Sequence, residues 1–126
     1  MNFEEYNTLG SIVEDMYGKA VTDSNGSFKI VSKIVGENRL RITCMQVVNI
    51  LTRSSMKKES DKAAEQNAKA CNEHLKLIKK EFKKEAGRAL KTKELGHDSS
   101  VELINMSAYS EKGTALCRCV FNFEIK

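Results

Sequence analysis

Cysteine and histidine are the side chains of this sequence best suited to covalent or acid–base chemistry. Cys71 and His74 are three residues apart in a predicted helix, a spacing that can place a thiol beside a base. No orienting group is evident near them, and Cys71 falls on the apolar seam of the helix, so we interpret it as a core residue. We interpret His97 and Asp98, which are adjacent, as part of a solvated turn.

The four cysteines, at positions 44, 71, 117 and 119, do not match a metal-binding pattern. Zinc sites favour C-x-x-C pairs, whereas Cys117 and Cys119 are two apart on one face of a predicted strand. We interpret all four as small buried thiols in a reducing compartment. Phosphate-binding glycine loops and the G-x-S-x-G and H-E-x-x-H motifs do not occur. We therefore predict no metal, no cofactor and no enzymatic activity.

A basic segment gives the strongest surface signal. Eight bases and three acids lie between His74 and Gly96, whereas residues 54–73 carry no net charge. A spacing of four places Lys76, Lys80, Lys84 and Arg88 in one row, and Lys79 and Lys83 lie beside it. These six candidate contact residues are called here the basic ridge. The ridge is either a solvated face whose cations suit a helix C-terminus, or a contact for phosphates or an acidic protein surface. Interleaved aromatic residues are missing, so nucleic acid would be bound through its backbone.

The net charge of +4 hides a strong asymmetry along the chain. Residues 1–26 carry net −4, residues 27–53 net +4, residues 54–96 net +5 and residues 97–126 net −1. The candidate acidic interface comprises Glu4, Glu5, Glu14 and Asp15, and a secondary basic face comprises Lys29, Lys33, Arg39 and Arg41. An acidic helix of one subunit could meet the basic helix of the next, and such head-to-tail contacts build rings or filaments.

Hydrophobic periodicity predicts the elements that position these residues. We predict a helix over 1–20, a hairpin over 27–51, a long helix over 55–91 and a second hairpin over 100–125. The long helix has a seam with heptad-like spacing: Ala64, Ala68, Cys71, Leu75, Ile78, Phe82 and Ala89. Residues 95–99 are predicted to form the loop that ends this helix, with Gly96 near its C-terminal cap. Alternate residues from Ala115 to Ile125 are predicted to face the core.

The predicted fold class is α+β, in which a short N-terminal helix and two β-hairpins form a four-stranded antiparallel sheet packed against one long helix. The 126 residues fit a single domain, 1–126. No apolar run approaches 18 residues, so we expect no membrane span. The first residues lack a basic region followed by an apolar stretch, so we expect no signal peptide and no secretion.

The C-terminal part of the chain resembles the ends of small virion proteins of contractile-tailed bacteriophages. The resemblance is carried by Val101-Glu102-Leu103-Ile104, Ala108-Tyr109-Ser110, Thr114-Ala115, Arg118 and Phe123-Glu124-Ile125. It covers about a fifth of the chain and carries over no functional residue. It implies a tail, baseplate, neck or head-decorating component, located in the virion or the host cytoplasm.

Two functions follow from the sequence as expectations. The first is a structural or assembly protein that contacts further copies of itself or other virion proteins. The alternative is an accessory protein that binds the nucleic-acid backbone through the basic half of the long helix. Native mass and salt-dependent retention on DNA distinguish the two.

Overall fold

The computed structural model describes residues 3–36, 39–50, 56–85, 92–104 and 113–125. In chain order they form α1 (Phe3–Met16), α2 (Gly18–Asp23), β1 (Phe28–Ile34), β2 (Arg39–Ile50), α3 (Met56–Glu85), β3 (Thr92–Ile104) and β4 (Gly113–Ile125). The predicted α+β class is confirmed, with a four-stranded antiparallel sheet and one long helix.

The four strands are ordered β1-β2-β4-β3, and every neighbouring pair is antiparallel. As a result β2 and β3 point the same way with β4 between them, and α3 returns the chain from one to the other. The core lies between one sheet face and the helices, and it joins Leu9 of α1, Ile78 of α3 and Phe121 of β4. Phe82 meets Phe123 edge to face with ring centroids 5.1 Å apart.

The N-terminal helix is broken where the sequence predicts continuity over 1–20. α1 ends at Met16, Tyr17 has φ −98° and ψ 3°, and α2 begins at Gly18. Tyr17, at the break, is buried, whereas Ala20 of α2 is exposed. A turn follows α2, with Asn25 (φ 53°) and Gly26 (φ 84°) in the left-handed region.

The buried stripe of α3 follows the predicted seam only in its second half. Cys71, Leu75, Ile78 and Phe82 are buried as predicted, but Ala64 and Ala68 are exposed. Asn67 takes the inward position instead. At about 100° per residue, Asn67 lies about 40° from Cys71 around the helix and Ala68 about 60°, so Asn67 faces the sheet more directly than Ala68. The seam residue Ala89 lies outside the described residues.

The loop predicted at residues 95–99 is wrong, because these residues belong to β3. The described part of α3 ends at Glu85, and residues 86–91 of the predicted helix lie outside the described residues; β3 starts at Thr92 rather than at 100. Gly96 (φ 149°) is not a helix cap but follows a shift in register between Glu94 and Gly96, where the strand bulges. The 13-residue strands of about 43 Å nearly match the roughly 45 Å of the described helix, so the described part of α3 and the strands β3 and β4 are similar in length.

Candidate functional site

The basic ridge lies on the outer side of the second half of α3. Lys76, Lys80, Lys83 and Lys84 are exposed there, as the helical spacing predicts. Lys76 approaches Glu73 only to 4.0 Å, and both side chains are more than 70% exposed, so this pair is weak. Arg88 lies outside the described residues.

Lys79 differs from the rest of the ridge because it has a close partner on the sheet. Its Nζ lies 2.9 Å from Oε2 of Glu94, and Oε1 of Glu94 lies 3.0 Å from Nδ1 of His97. Hydrogen bonds from Lys79 and then from His97 lower the pKa of Glu94 below its usual value. The ion pair connects α3 to β3 and leaves less of the Lys79 charge for an external partner. His97 belongs to the strand β3, where the sequence predicts a turn.

The predicted acidic interface is only partly described. Glu14 and Asp15 are exposed on α1. Glu14 accepts a hydrogen bond of 2.9 Å from the hydroxyl of Ser32 on β1. Glu4 and Glu5 belong to α1, but their side chains lie outside the described residues. Among the described side chains, no ion pair joins α1 to α3.

The four residues of the secondary basic face lie together on the sheet face opposite the helices. Lys33 is directly across from Arg41 in the β1–β2 register, and Arg39 precedes Arg41 by two on the same face. Lys29 follows the same alternation on β1, and all four side chains are exposed. Nε of Arg41 donates a 3.1 Å hydrogen bond to Oδ1 of Asn122 on β4.

This second sheet face, called here the open face, is covered by no described helix. Its residues alternate with the buried ones, and none of the described ones is buried. Apolar side chains occupy its middle: Val31 of β1, Met45 and Val47 of β2, and Leu116 and Val120 of β4. Val31 is 46% exposed. Sequence reasoning identified the polar residues of this face and missed its apolar ones, although Met45, Val47, Leu116 and Val120 all alternate with predicted core positions.

The open face also carries acids that the sequence did not indicate. Asp98 lies opposite Val120, and Glu102 lies opposite Leu116, both on the edge strand β3. The face is therefore basic at the β1 edge, mainly apolar in the middle, where Arg118 of β4 also lies, and acidic at Asp98 and Glu102 of β3, with Lys93 near the start of that strand. Asp98 was placed in a loop by the sequence, which hid this gradient.

The four cysteines gather on the helix-facing side of the sheet. Cys71 of α3 and Cys119 of β4 form a disulfide with Cα atoms 5.5 Å apart, so the interpretation of four free thiols is wrong. Cys44 lies directly across from Cys119, and Cys117 precedes it by two on the same face. Burial raises the pKa of the Cys44 thiol to about 12 and raises that of Cys117, so neither is an activated nucleophile. The disulfide also removes the argument for a reducing compartment.

His74 has a partner that the sequence did not predict. The hydroxyl of Tyr17 lies 2.7 Å from Nδ1 of His74, and the two rings meet edge to face. Burial lowers the pKa of His74 and, together with nearby Cys44, raises that of Tyr17. Since Cys71 is bonded to Cys119, the pairing of a Cys71 nucleophile with a His74 base is absent. The contact instead joins α3 to the break between α1 and α2.

A groove of about 280 Å³ separates the first half of α3 from β2 and β4. Small side chains such as Ala63 and Ala70 leave this space, and Gln46, Gln66 and Asn67 line it with amides. Asn67 is held in place because its Nδ2 donates to the carbonyl oxygens of Ser100 (3.2 Å) and Arg118 (3.1 Å). The groove is open, its lining is polar and apolar in equal parts, and the pKa of its thiol, Cys117, is raised by burial.

Comparisons with protein families, with curated proteins and with solved structures give no significant match. In the described ranges, no cluster of three or more His, Cys, Asp or Glu residues is suited to a metal ion. None of the described helices is both long enough and apolar enough to cross a membrane. The function is therefore argued from the surfaces alone.

Proposed function

We propose that this protein is a non-enzymatic structural protein that assembles through protein–protein contacts with further copies of itself, as a small component of a phage virion such as its tail, baseplate or neck. One observation carries the proposal. The open face exposes apolar side chains across three of its four strands, and no described element covers them.

Antiparallel sheets with one solvated face usually place polar residues on that face. Here five apolar side chains lie on neighbouring strands, interrupted by Thr43 and Arg118: Val31, Met45, Val47, Leu116 and Val120. A contiguous apolar patch with a charged rim is typical of a surface that binds protein. The charged ridge of α3 provides a second surface on the opposite side, and a protein with two contact surfaces can extend an assembly beyond a pair.

The test is the native mass of the purified protein, measured by light scattering over a wide range of concentrations, with negative-stain microscopy of the largest species. We expect a defined multimer with a regular shape. A protein that stays monomeric at every concentration contradicts the proposal. The variant Lys80→Glu with Lys84→Glu tests the head-to-tail contact between α1 and α3, because it should reduce the largest species if that contact is used.

Binding to the nucleic-acid backbone is the second candidate, favoured by four exposed lysines of the ridge that form no close ion pair with another described side chain: Lys76, Lys80, Lys83 and Lys84. Four phosphate contacts would give a slope of about −3 to −4 for log binding constant against log salt concentration. Lys80→Glu with Lys84→Glu should abolish retention on DNA, while Lys58→Glu with Lys62→Glu in the neutral half of α3 is the matched control. Equal retention of both variants rejects the ridge as the DNA contact.

A further inference from the structure

We propose that the open face pairs with the open face of a second copy of this chain, about a twofold axis that runs parallel to the strands. The inference rests on the proposed function, because it specifies one of the contacts of the assembly. It is carried by the order in which basic, apolar and acidic residues occur across the face.

The basic edge and the acidic edge lie at opposite sides of the face. Lys29 and Lys33 lie on the edge strand β1, whereas Asp98 and Glu102 lie on the edge strand β3. All four side chains are exposed. Rotation by 180° about an axis parallel to the strands places β1 of one copy over β3 of the other, twice in the same dimer. Lys29 and Lys33 then face the strand that carries Asp98 and Glu102 at both edges, and the base of that strand, Lys93, lies beyond the end of β1.

The register of the sheet brings particular residues to the same height. Lys29 is level with Met45, Arg118 and Ser100, and Ser100 lies midway between Asp98 and Glu102 on β3. In the proposed dimer Lys29 therefore projects between two carboxylates of the second copy. Packed sheets are about 10 Å apart, a gap that a lysine and a carboxylate side chain together can bridge.

The two central strands fit the same rotation. It places β2 over β4 of the second copy, so that Val47 faces Leu116 and Arg39 faces Glu124, because each of these pairs shares one height in the register. Most apolar residues thus meet in the middle, where Arg118 also faces Met45 of the second copy, and the other charges lie at the rim, which is close to the usual anatomy of a protein interface.

The alternative twofold axis, in the plane of the sheet but perpendicular to the strands, is disfavoured. It would place β1 over β1, with Lys29 and Lys33 facing Lys29 and Lys33 of the second copy. Like charges opposed across an interface select against that arrangement. The charges therefore choose between two arrangements that the apolar residues alone would not distinguish.

The size of the face suits a dimer. β2 and β4 pair over 12 positions, β3 extends beside them and β1 adds seven. With strands about 4.8 Å apart and a rise of about 3.3 Å per residue, the face covers about 700 Å². Stable interfaces bury about 800 Å² on each partner, so the whole face is required and a partial overlap would be too small.

The test is a charge-reversal experiment read out as native mass and as the dissociation constant of the dimer. Lys29→Glu with Lys33→Glu opposes acids to acids, and Asp98→Lys with Glu102→Lys opposes bases to bases. Each double variant should raise the dissociation constant at least about a hundredfold. A mixture of the two should form a heterodimer, because both edges are then complementary again. All four positions are exposed, so circular dichroism and melting temperature should stay close to those of the unaltered protein.

Lys80→Glu with Lys84→Glu is the control, because it makes the same charge change on the helix side and should leave the dimer intact. The inference is overturned if either sheet variant dimerises as tightly as the original chain, or if the mixture fails to restore the dimer. If multimers persist in both sheet variants, the assembly function stands and this contact is wrong. If the original chain is monomeric throughout, both are wrong.

Discussion

Reducing the Cys71–Cys119 disulfide should lower the stability of the protein strongly. The bond joins residues 48 apart in sequence. In the chain-entropy description, a loop of that length removes about 14 cal/mol/K from the unfolded state, which stabilises the fold by about 4 kcal/mol at 25 °C. For a domain of this size, about 4 kcal/mol corresponds to a fall in melting temperature of roughly 12–20 °C.

Reduction should change the free energy of the folded state less than that of the unfolded state. Cys71 and Cys119 are 1% and 3% exposed, so the reduced thiols would stay buried as small apolar groups. Oδ1 of Asn67 lies 3.6 Å from Sγ of Cys119, so a reduced Cys119 would find a weak acceptor there. The loss of stability should therefore stay close to the entropic value.

The measurement is thermal and urea unfolding with and without a reductant, together with thiol counting in denaturant. The variant Cys71→Ala with Cys119→Ala should unfold at a lower temperature and urea concentration than the original chain. The reductant should not change the stability of this variant. Cys44→Ala with Cys117→Ala removes the same number of sulfurs, and it should remain sensitive to the reductant. Two reactive thiols are expected in the denatured protein before reduction and four after it. Four thiols before reduction, or a melting temperature that reduction does not change, would refute the reasoning.

The remaining predictions concern single contacts. Asn67→Ala removes two hydrogen bonds to carbonyl oxygens and should lower the free energy of unfolding in urea by about 1–3 kcal/mol. Asn72 is exposed on the same helix, so Asn72→Ala should leave the free energy of unfolding unchanged. Equal losses in the two variants exclude the role given to Asn67. Gly10→Ala would bring a Cβ within 2.5 Å of the Ser32 hydroxyl oxygen, whereas a Cβ at Gly18 meets open space. Gly10→Ala should therefore be about 1–3 kcal/mol less stable than Gly18→Ala. A smaller difference in stability means that α1 and β1 are not so close. Because burial lowers the pKa of His74 in the fold, the unfolded chain binds the proton more readily, and stability should fall as the pH drops below about 6.5. His74→Gln should flatten that part of the stability profile, and an unchanged slope argues against a buried neutral imidazole.

The fold class could be predicted because its strongest patterns come from burial. Strand β4 alternates buried and half-buried residues from Ala115 to Glu124, and its partner β2 alternates from Leu40 to Cys44. The hairpin of β1 and β2 is likewise marked by alternation on both sides of Gly36. Such patterns survive because a strand that moved by one residue would turn its whole apolar side to solvent.

The first half of β3 could not be predicted, because nothing in residues 92–100 favours a strand by itself. Gly96, Asp98 and the two serines that follow are poor strand formers. These residues are extended because β4 provides a full row of backbone partners, and a charged edge strand also resists unwanted pairing. Tertiary pairing overrides local preference here, and the acidic edge of the open face was missed for the same reason.

The candidate surfaces were predicted in their charges and not in their apolar content. Helical spacing correctly predicted the exposure of Lys76, Lys80, Lys83 and Lys84, and strand alternation correctly predicted the exposure of the four bases of the sheet. The disulfide is different, because four cysteines on three separate elements allow several pairings and sequence alone does not choose among them. The contact of His74 with Tyr17 depends on the break after α1, and no residue pattern predicts that break.

The order of the strands has a consequence for how the protein is made. β4 is the last described element to leave the ribosome, yet it lies between β2 and β3 and supplies Phe121 and Phe123 to the core. Until it arrives, the first hairpin and β3 have no common neighbour, and Cys71 has no Cys119 to bond. Closing the sheet then requires contacts between distant parts of the chain, which slows folding. The nascent protein therefore lacks one of its two central strands through most of its synthesis, and a ribosome that stalls before residue 113 holds a hairpin and a single strand that cannot join.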